Sequence, residues 1–184
     1  MDKIIPPSER FKKNVLLLIS LLKDIVKDCW DKGYRKLNPI MVDIVMNFAE
    51  NYDDDTLIGE YIIRTHEKWE TVKHRKEDNL IHHINEIVRS IAKDKFDKYL
   101  IIIEELTSMT DSGGKKIVTQ EDREAIWKVI DSLVKISINH IHKKRGPKVK
   151  IVTDGPNKPI YTVNYLQEIP LMKYVKTWSV ELIF

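Results

Sequence analysis

Apolar residues recur at spacings of four and three from Phe11 to Cys29. Phe11, Val15, Leu18, Leu22, Ile25 and Cys29 therefore share one side of a helix. Leu16, Leu17, Ile19, Leu21 and Val26 widen that stripe well beyond a narrow seam. A helix this apolar has to be covered from more than one direction. The segment is thus the expected centre of a bundle, with later helices laid against it.

Punctuation along the chain supplies those later helices. Ser8, after Pro6-Pro7, is the expected N-cap of the first helix and Gly33 its C′ residue. Asn38-Pro39 combines an N-cap with proline at the first helical position and opens a second helix running to about Tyr52. Its apolar face is read as Met41, Ile44, Val45, Phe48 and Tyr52. Asp53-Asp54-Asp55 stops that helix and starts a third, from Thr56 to Lys73, with Ile58, Ile62, Thr65, Trp69 and Val72 inside. Carboxylates there face the partial positive charge of a helix start. The triplet lacks the alternating ligands, glycine and glutamate of a calcium loop. Past the polar break at His74–Glu77, with Asp78 as a candidate cap, a fourth helix carries Leu80 or Ile81, Ile84, Ile87, Val88 and Ile91. Asp94 heads a fifth, with Phe96, Tyr99, Leu100, Ile103 and Leu106 inside. Thr110–Lys116 is a loop, after which Ile117-Val118 reach towards the core. Thr119 and Asp122 form a capping-box pattern for a sixth helix ending near His142, with Ile126, Val129, Ile130, Leu133, Val134, Ser137 and Ile141 buried.

After Lys143-Lys144-Arg145-Gly146-Pro147 the period changes. Val149, Ile151 and Thr153 alternate with other residues, Asp154–Pro159 is dense turn chemistry, and Ile160–Tyr165 is β-branched and aromatic. This predicts a β-hairpin with a longish loop. Leu171–Phe184 reads as a third strand or extended arm, because Tyr174, Lys176, Trp178, Val180, Leu182 and Phe184 share one parity. The expected fold is a mainly α bundle of about six helices with a small C-terminal β appendage. The division is into a helical domain, 1–145, and an appendage, 146–184.

Charge sharpens that division. The net charge is +3 over 184 residues. Residues 143–184 hold eight cations against three carboxylates, +5, which leaves −2 on 1–142. A mildly acidic body thus carries a basic tail. The single cysteine cannot form an internal disulfide, and no signal peptide or membrane-length apolar run is legible. An intracellular setting, cytoplasmic or nuclear, is expected, without membrane association. Isoleucine outnumbers alanine by about nine to one, a bias pointing to an A+T-rich genome.

Candidate chemistry is sparse. His82, His83 and Glu86 lie within helical reach of one another but lack the two-histidine pattern of a zinc protease. His140 and His142 are two apart and diverge on a helix. Cys29 closes the apolar seam and reads as a buried, inert thiol. Gly113-Gly114-Lys115-Lys116 is no phosphate loop, and the adjacent Glu104 and Glu105 point about 100° apart on a helix. No catalytic residue, metal or cofactor is assigned, and the chain is read as a non-enzyme. Two sets remain. Tyr174, Trp178, Val180, Leu182 and Phe184 make an unusually apolar tail that either folds back or docks on another chain, or a second copy. Lys143, Lys144, Arg145, Lys148 and Lys150 are the alternative, a phosphate-contacting run for nucleic acid.

One stretch, Trp69-Glu70-Thr71-Val72-Lys73-His74-Arg75-Lys76-Glu77-Asp78-Asn79-Leu80-Ile81, resembles a pattern in uncharacterised helical proteins of nucleocytoplasmic large DNA viruses. There a Trp, an aliphatic residue, a basic pair and an acidic pair precede apolar residues of the next helix. The resemblance covers these residues alone and carries over no catalytic group. It implies a viral structural or host-facing protein, in the virion or the host cell. Together these readings lead to a protein-interaction or structural protein that assembles through its C-terminal arm.

Overall fold

The structure, a computed structural model, describes residues 4–75, 77–92, 104–106, 108–145, 166 and 169–182. Seven helices are defined among them: α1 (Pro7–Asp31), α2 (Pro39–Glu50), α3 (Asp54–Thr65), α4 (Trp69–Val72), α5 (Glu77–Ala92), α6 (Gln120–Lys144) and α7 (Leu171–Trp178). A 3₁₀ turn, His66–Lys68, joins α3 to α4. Helix α1 packs against α2, α3 and α6; α5 lies on α3 and α2; α7 lies on α6 and α4. The wide stripe on α1 explains this arrangement. Phe11, Val15, Leu18, Ile19, Leu22, Val26 and Cys29 are all buried, and no single neighbour covers that arc.

The helix ends obey their local chemistry. Proline at the first position starts α1 one residue before Ser8, whose hydroxyl donates to Asp55 instead of capping. At the other end Gly33 takes φ +93°. Its N–H donates to the Trp30 carbonyl, and the Tyr34 N–H donates to the Cys29 carbonyl, both at 3.0 Å. This is the paired closure in which a left-handed residue satisfies the last carbonyls. Asn38 Oδ1 accepts the Ile40 N–H at 3.0 Å to open α2. Asp53 Oδ2 accepts the N–H and hydroxyl of Thr56 at 2.8 and 2.7 Å to open α3. The neighbouring Asp54 and Asp55 pair with Lys12 and Lys144 at 2.8 and 3.1 Å. The aspartate triplet therefore caps and clamps. Thr119 and Asp122 exchange both capping-box hydrogen bonds, at 2.9 and 3.1 Å.

The fold departs from the sequence-based expectation in several places. The third helix does not run unbroken to Lys73. Thr65 donates its hydroxyl to the Tyr61 carbonyl and accepts the Trp69 indole N–H at 2.9 Å, and the backbone tightens into the 3₁₀ turn just beyond. The row Ile58, Ile62, Thr65, Trp69 and Val72 stays buried across the break. Helix α2 buries Val42, Val45 and Ala49, and Ile44 is 41% exposed. Its apolar residues span more arc than its neighbours cover, so the buried strip is rotated from the expected one.

The largest correction concerns the appendage. Leu171–Trp178, expected as a strand or extended arm, is helical. Leu171, Tyr174 and Trp178 are its buried residues, at spacings of three and four. Tyr174 and Trp178 are four apart, a distance that suits one helical turn and even strand parity alike, so they could not discriminate. Among the described residues there is no strand, only the isolated bridge between Thr110 and Lys116. The expected hairpin, Val149–Tyr165, lies outside the described residues, as do Phe96–Ile103 of the expected fifth helix; Leu106 at its end is buried. No helix among the described residues is long and apolar enough to cross a membrane.

This packing has two measurable consequences. Gly33→Ala places a Cβ on a left-handed residue and should lower stability by about 1 kcal/mol in a urea melt. His140 on α6 is buried, and burial pushes its pKa down to about 4, against the pull of Asp55 and with Lys144 and Lys143 reinforcing the shift. The fold prefers neutral His140, whose unfolded pKa is near 6.5. Its contribution is whole above pH 6.5 and is lost as pH falls from there towards 4, by at most ~3 kcal/mol. His140→Gln should flatten that part of the stability–pH profile; an unchanged slope counts against this account.

Candidate functional site

The predicted interaction residues converge on the chain's own body. Helix α7 lies over the 3₁₀ turn and α4, where a run of rings extends from the core outwards. Phe11 meets Tyr61 at 5.0 Å between centroids, Tyr61 meets Trp69 at 6.5 Å, and Trp69 meets Tyr174 edge-on at 5.1 Å. Edge-on and offset contacts suit the opposite charge of ring face and rim. Tyr174 is 5% exposed and Trp178 4%, with Ile169 and Leu171 buried beside them. Val180 and Leu182 are half-buried against the same core, and Phe184 lies outside the described residues. The arm therefore folds back, and Met172, 67% exposed, is its prominent outward apolar residue.

Polar contacts pin the arm chiefly by its backbone. The Tyr174 hydroxyl donates to the His66 carbonyl at 2.7 Å and sits 3.4 Å from His66 Nδ1. Burial lowers the pKa of that imidazole, so the neutral ring is the form packed under the arm. Lys73 Nζ donates to the Thr177 carbonyl and lies 5.7 Å from the Trp178 ring centroid. Lys173 pairs with Glu70 at 3.1 Å. Arg145 donates from Nε to the Leu166 carbonyl at 2.7 Å and from Nη2 to the Ile169 carbonyl.

These contacts change the meaning of the basic run. Arg145 is a clasp on the segment leading into α7, and Lys144 is paired with Asp55. Burial alone would raise the Asp55 carboxyl, but hydrogen bonds from Lys144 and Ser8 outweigh it and hold it below its ordinary value. Lys143 is exposed; Lys148 and Lys150 lie outside the described residues. The backbone-directed role of Arg145 was not legible in sequence, because its acceptors are carbonyls 21 and 24 residues away.

The remaining polar candidates lie within the helices and at their corners. On α5, His83 is buried with its ring 6.1 Å from Tyr61 and 5.6 Å from His82. Glu86 faces Arg64 at 3.7 Å and Arg89 at 3.2 Å. Among the described residues no group of three or more histidine, cysteine or acidic side chains is arranged to hold a metal. Cys29 is buried, and burial together with the nearby Asp28 charge raises its pKa, which suppresses the thiolate. The buried hydroxyls of Thr65, Ser90 and Ser137 donate to carbonyls four residues back in their own helices, at 2.7–2.8 Å. Arg75 adopts φ +48° at the α4–α5 corner and bridges Glu124 and Asp131 of α6, at 2.5 and 3.2 Å.

No protein-family description, curated protein or solved structure matches the chain.

Arg145→Ala removes a charged donor from two backbone carbonyls and should weaken arm docking by about 1–2 kcal/mol. Amide hydrogen exchange across 171–178 should then speed up by roughly tenfold or more. Lys143→Ala, on an exposed side chain, should leave that exchange unchanged.

Proposed function

We propose that this chain is a non-enzymatic interaction protein that assembles with other protein chains, copies of itself included, through its C-terminal arm. The observation carrying this reading is the arm itself. It is a short amphipathic helix packed on α6 and α4, anchored by Tyr174 and Trp178 and offering Met172 outwards beside half-buried Val175, Val180 and Leu182. Met172 and its half-buried apolar neighbours give the arm's outer face apolar surface for a partner to cover. Buried hydroxyls bonded to their own backbones, and a thiol held protonated, support a scaffold more than a reactive centre. The resemblance of residues 69–81 to helical proteins of large DNA viruses adds the setting, a structural or host-facing viral component.

The second reading, a nucleic-acid-associated factor using residues 143–150, draws support from the exposed Lys143 at the end of α6. It is weakened by the partners that Lys144 and Arg145 already have within the chain.

Light scattering decides the first reading. The protein should show a mass above that of the 21.7 kDa monomer as concentration rises. Met172→Glu and deletion of 171–184 should both reduce it, the former without lowering the melting temperature. A strict monomer at every concentration, or assembly indifferent to both changes, counts against it. A gel shift across a salt series separates the second: retardation at low salt that fades as salt rises favours nucleic acid.

A further inference from the structure

We infer that the outer face of α1 is a self-association surface: two copies pair these helices antiparallel, about a two-fold axis level with Ile19. The face lies on α1, whereas the arm packs on α6 and α4, so the inference goes beyond the arm reading and stands without it.

The stripe that carries it is Arg10, Asn14, Leu17, Leu21, Asp24 and Asp28, at spacings of four, three, four, three and four. On a helix these positions fall within an arc of about 80°, roughly 125° round from the buried residues. The spacing is that of a helix–helix seam. Every residue of the stripe is at least partly exposed. Leu17 and Leu21 extend the apolar pattern of α1, yet Leu17 is 50% exposed and Leu21 only half-buried, because the neighbours of α1 cover the arc of Phe11, Val15 and Leu18. Arg10 and Asp24 have no ion-pair partner among the described residues. Asp28 pairs with Lys32 one turn on, at 2.6 Å, with both side chains more than half exposed.

Along the helix the stripe is cationic, then apolar, then anionic. That order names the occupant, because reversed it matches itself. In an antiparallel pair Leu17 meets Leu21 of the second copy, Asn14 meets its Asp24, and Arg10 meets its Asp28. A parallel pair in register sets arginine on arginine and aspartate on aspartate. Sliding the antiparallel pair by one heptad sets Arg10 on Leu21 and Asn14 on Leu17. One orientation and one register are therefore favoured. The Asn14 amide donates to the Arg10 carbonyl at 2.9 Å, which leaves its second N–H for Asp24 of the second copy.

The anionic end is shaped as well as charged. Beside Leu21, Asp24 and Asp28 a cleft of about 320 Å³ opens towards Ile117, Asp122 and Ala125 at the start of α6, with Lys32 at its rim. It can take the aliphatic stem of the incoming Arg10 and set the guanidinium among the carboxylates. The stripe spans about 27 Å of helix, and one helix pair of that length buries less than the roughly 800 Å² per partner of a standard interface. The dimer is thus a weak one, with the leucines supplying affinity and the exposed charges setting orientation.

Charge reversal tests this by sedimentation velocity on the full chain, with Met172→Glu throughout to take the arm's outward residue out of the comparison. The parent should pass from monomer to dimer as its concentration rises towards about 1 mM. Arg10→Asp opposes aspartates at both ends of the pair, and Asp28→Arg opposes arginines. Each alone should weaken dimerisation by roughly tenfold or more. Mixed one to one, each supplies the charge the other has lost, and association should return to within about threefold of the parent. The double variant should recover likewise. A folding defect in either chain is not repaired by mixing, so recovery speaks for the contact alone. Leu17→Glu should abolish dimerisation in every background. Added salt should narrow the gap between the parent and the single variants. A parent that stays monomeric, single variants that dimerise as the parent does, or a mixture no better than its components overturns the inference. Met172 is replaced in every sample, so none of these results touches the arm reading.

Discussion

One helix must be covered from several sides, and the rest of the molecule answers that requirement. The buried stripe on α1 spans too wide an arc for a single partner, so α2, α3 and α6 each take a share. Burial of apolar surface at roughly 25 cal/mol per Å² supplies the drive. Side-chain shape then decides which neighbour goes where. The consequence is directional: α1 holds the centre, and the C-terminal arm packs on α6 and α4 from outside, adding Ile169, Leu171, Tyr174 and Trp178 to the same core.

That outside layer is of a different physical kind. The core elements are long and held by interdigitated aliphatic side chains. The arm is short and held by two aromatic anchors with a set of charged or hydroxyl donors aimed at main-chain carbonyls. The same logic reassigns the positive charge at the end of α6. A cation near a helix C-terminus already sits favourably against the dipole, and here Lys144 and Arg145 also join α6 to the start of α3 and to the approach to α7. Net charge in this part of the chain is therefore partly structural.

Several polar groups are satisfied within the chain. Hydroxyls bond to their own helices, the aspartate triplet caps and clamps, and His140 stays neutral beside Asp55. Arg75 holds a left-handed corner with two ion pairs across to α6. The ion pairs close junctions between elements, whereas the hydroxyls satisfy their own helices.

Much of the fold was determined by local sequence. The amphipathic period of α1, α5 and α6, the Asn38-Pro39 and Thr119–Asp122 starts and the Gly33 stop depend on residues within a turn of one another, so short-range chemistry suffices to read them. The tertiary structure decided what local chemistry leaves degenerate. Tyr174 and Trp178 satisfy two periodicities, and only the groove above Trp69 selected the helix. The apolar residues of α2 wrap too far round for their inward face to be known until its neighbours were placed. Arg145 looked like part of a charge run because the carbonyls it binds lie more than 20 residues away. Where the deciding contact is distant along the chain, a one-dimensional pattern holds both answers, and packing chooses between them.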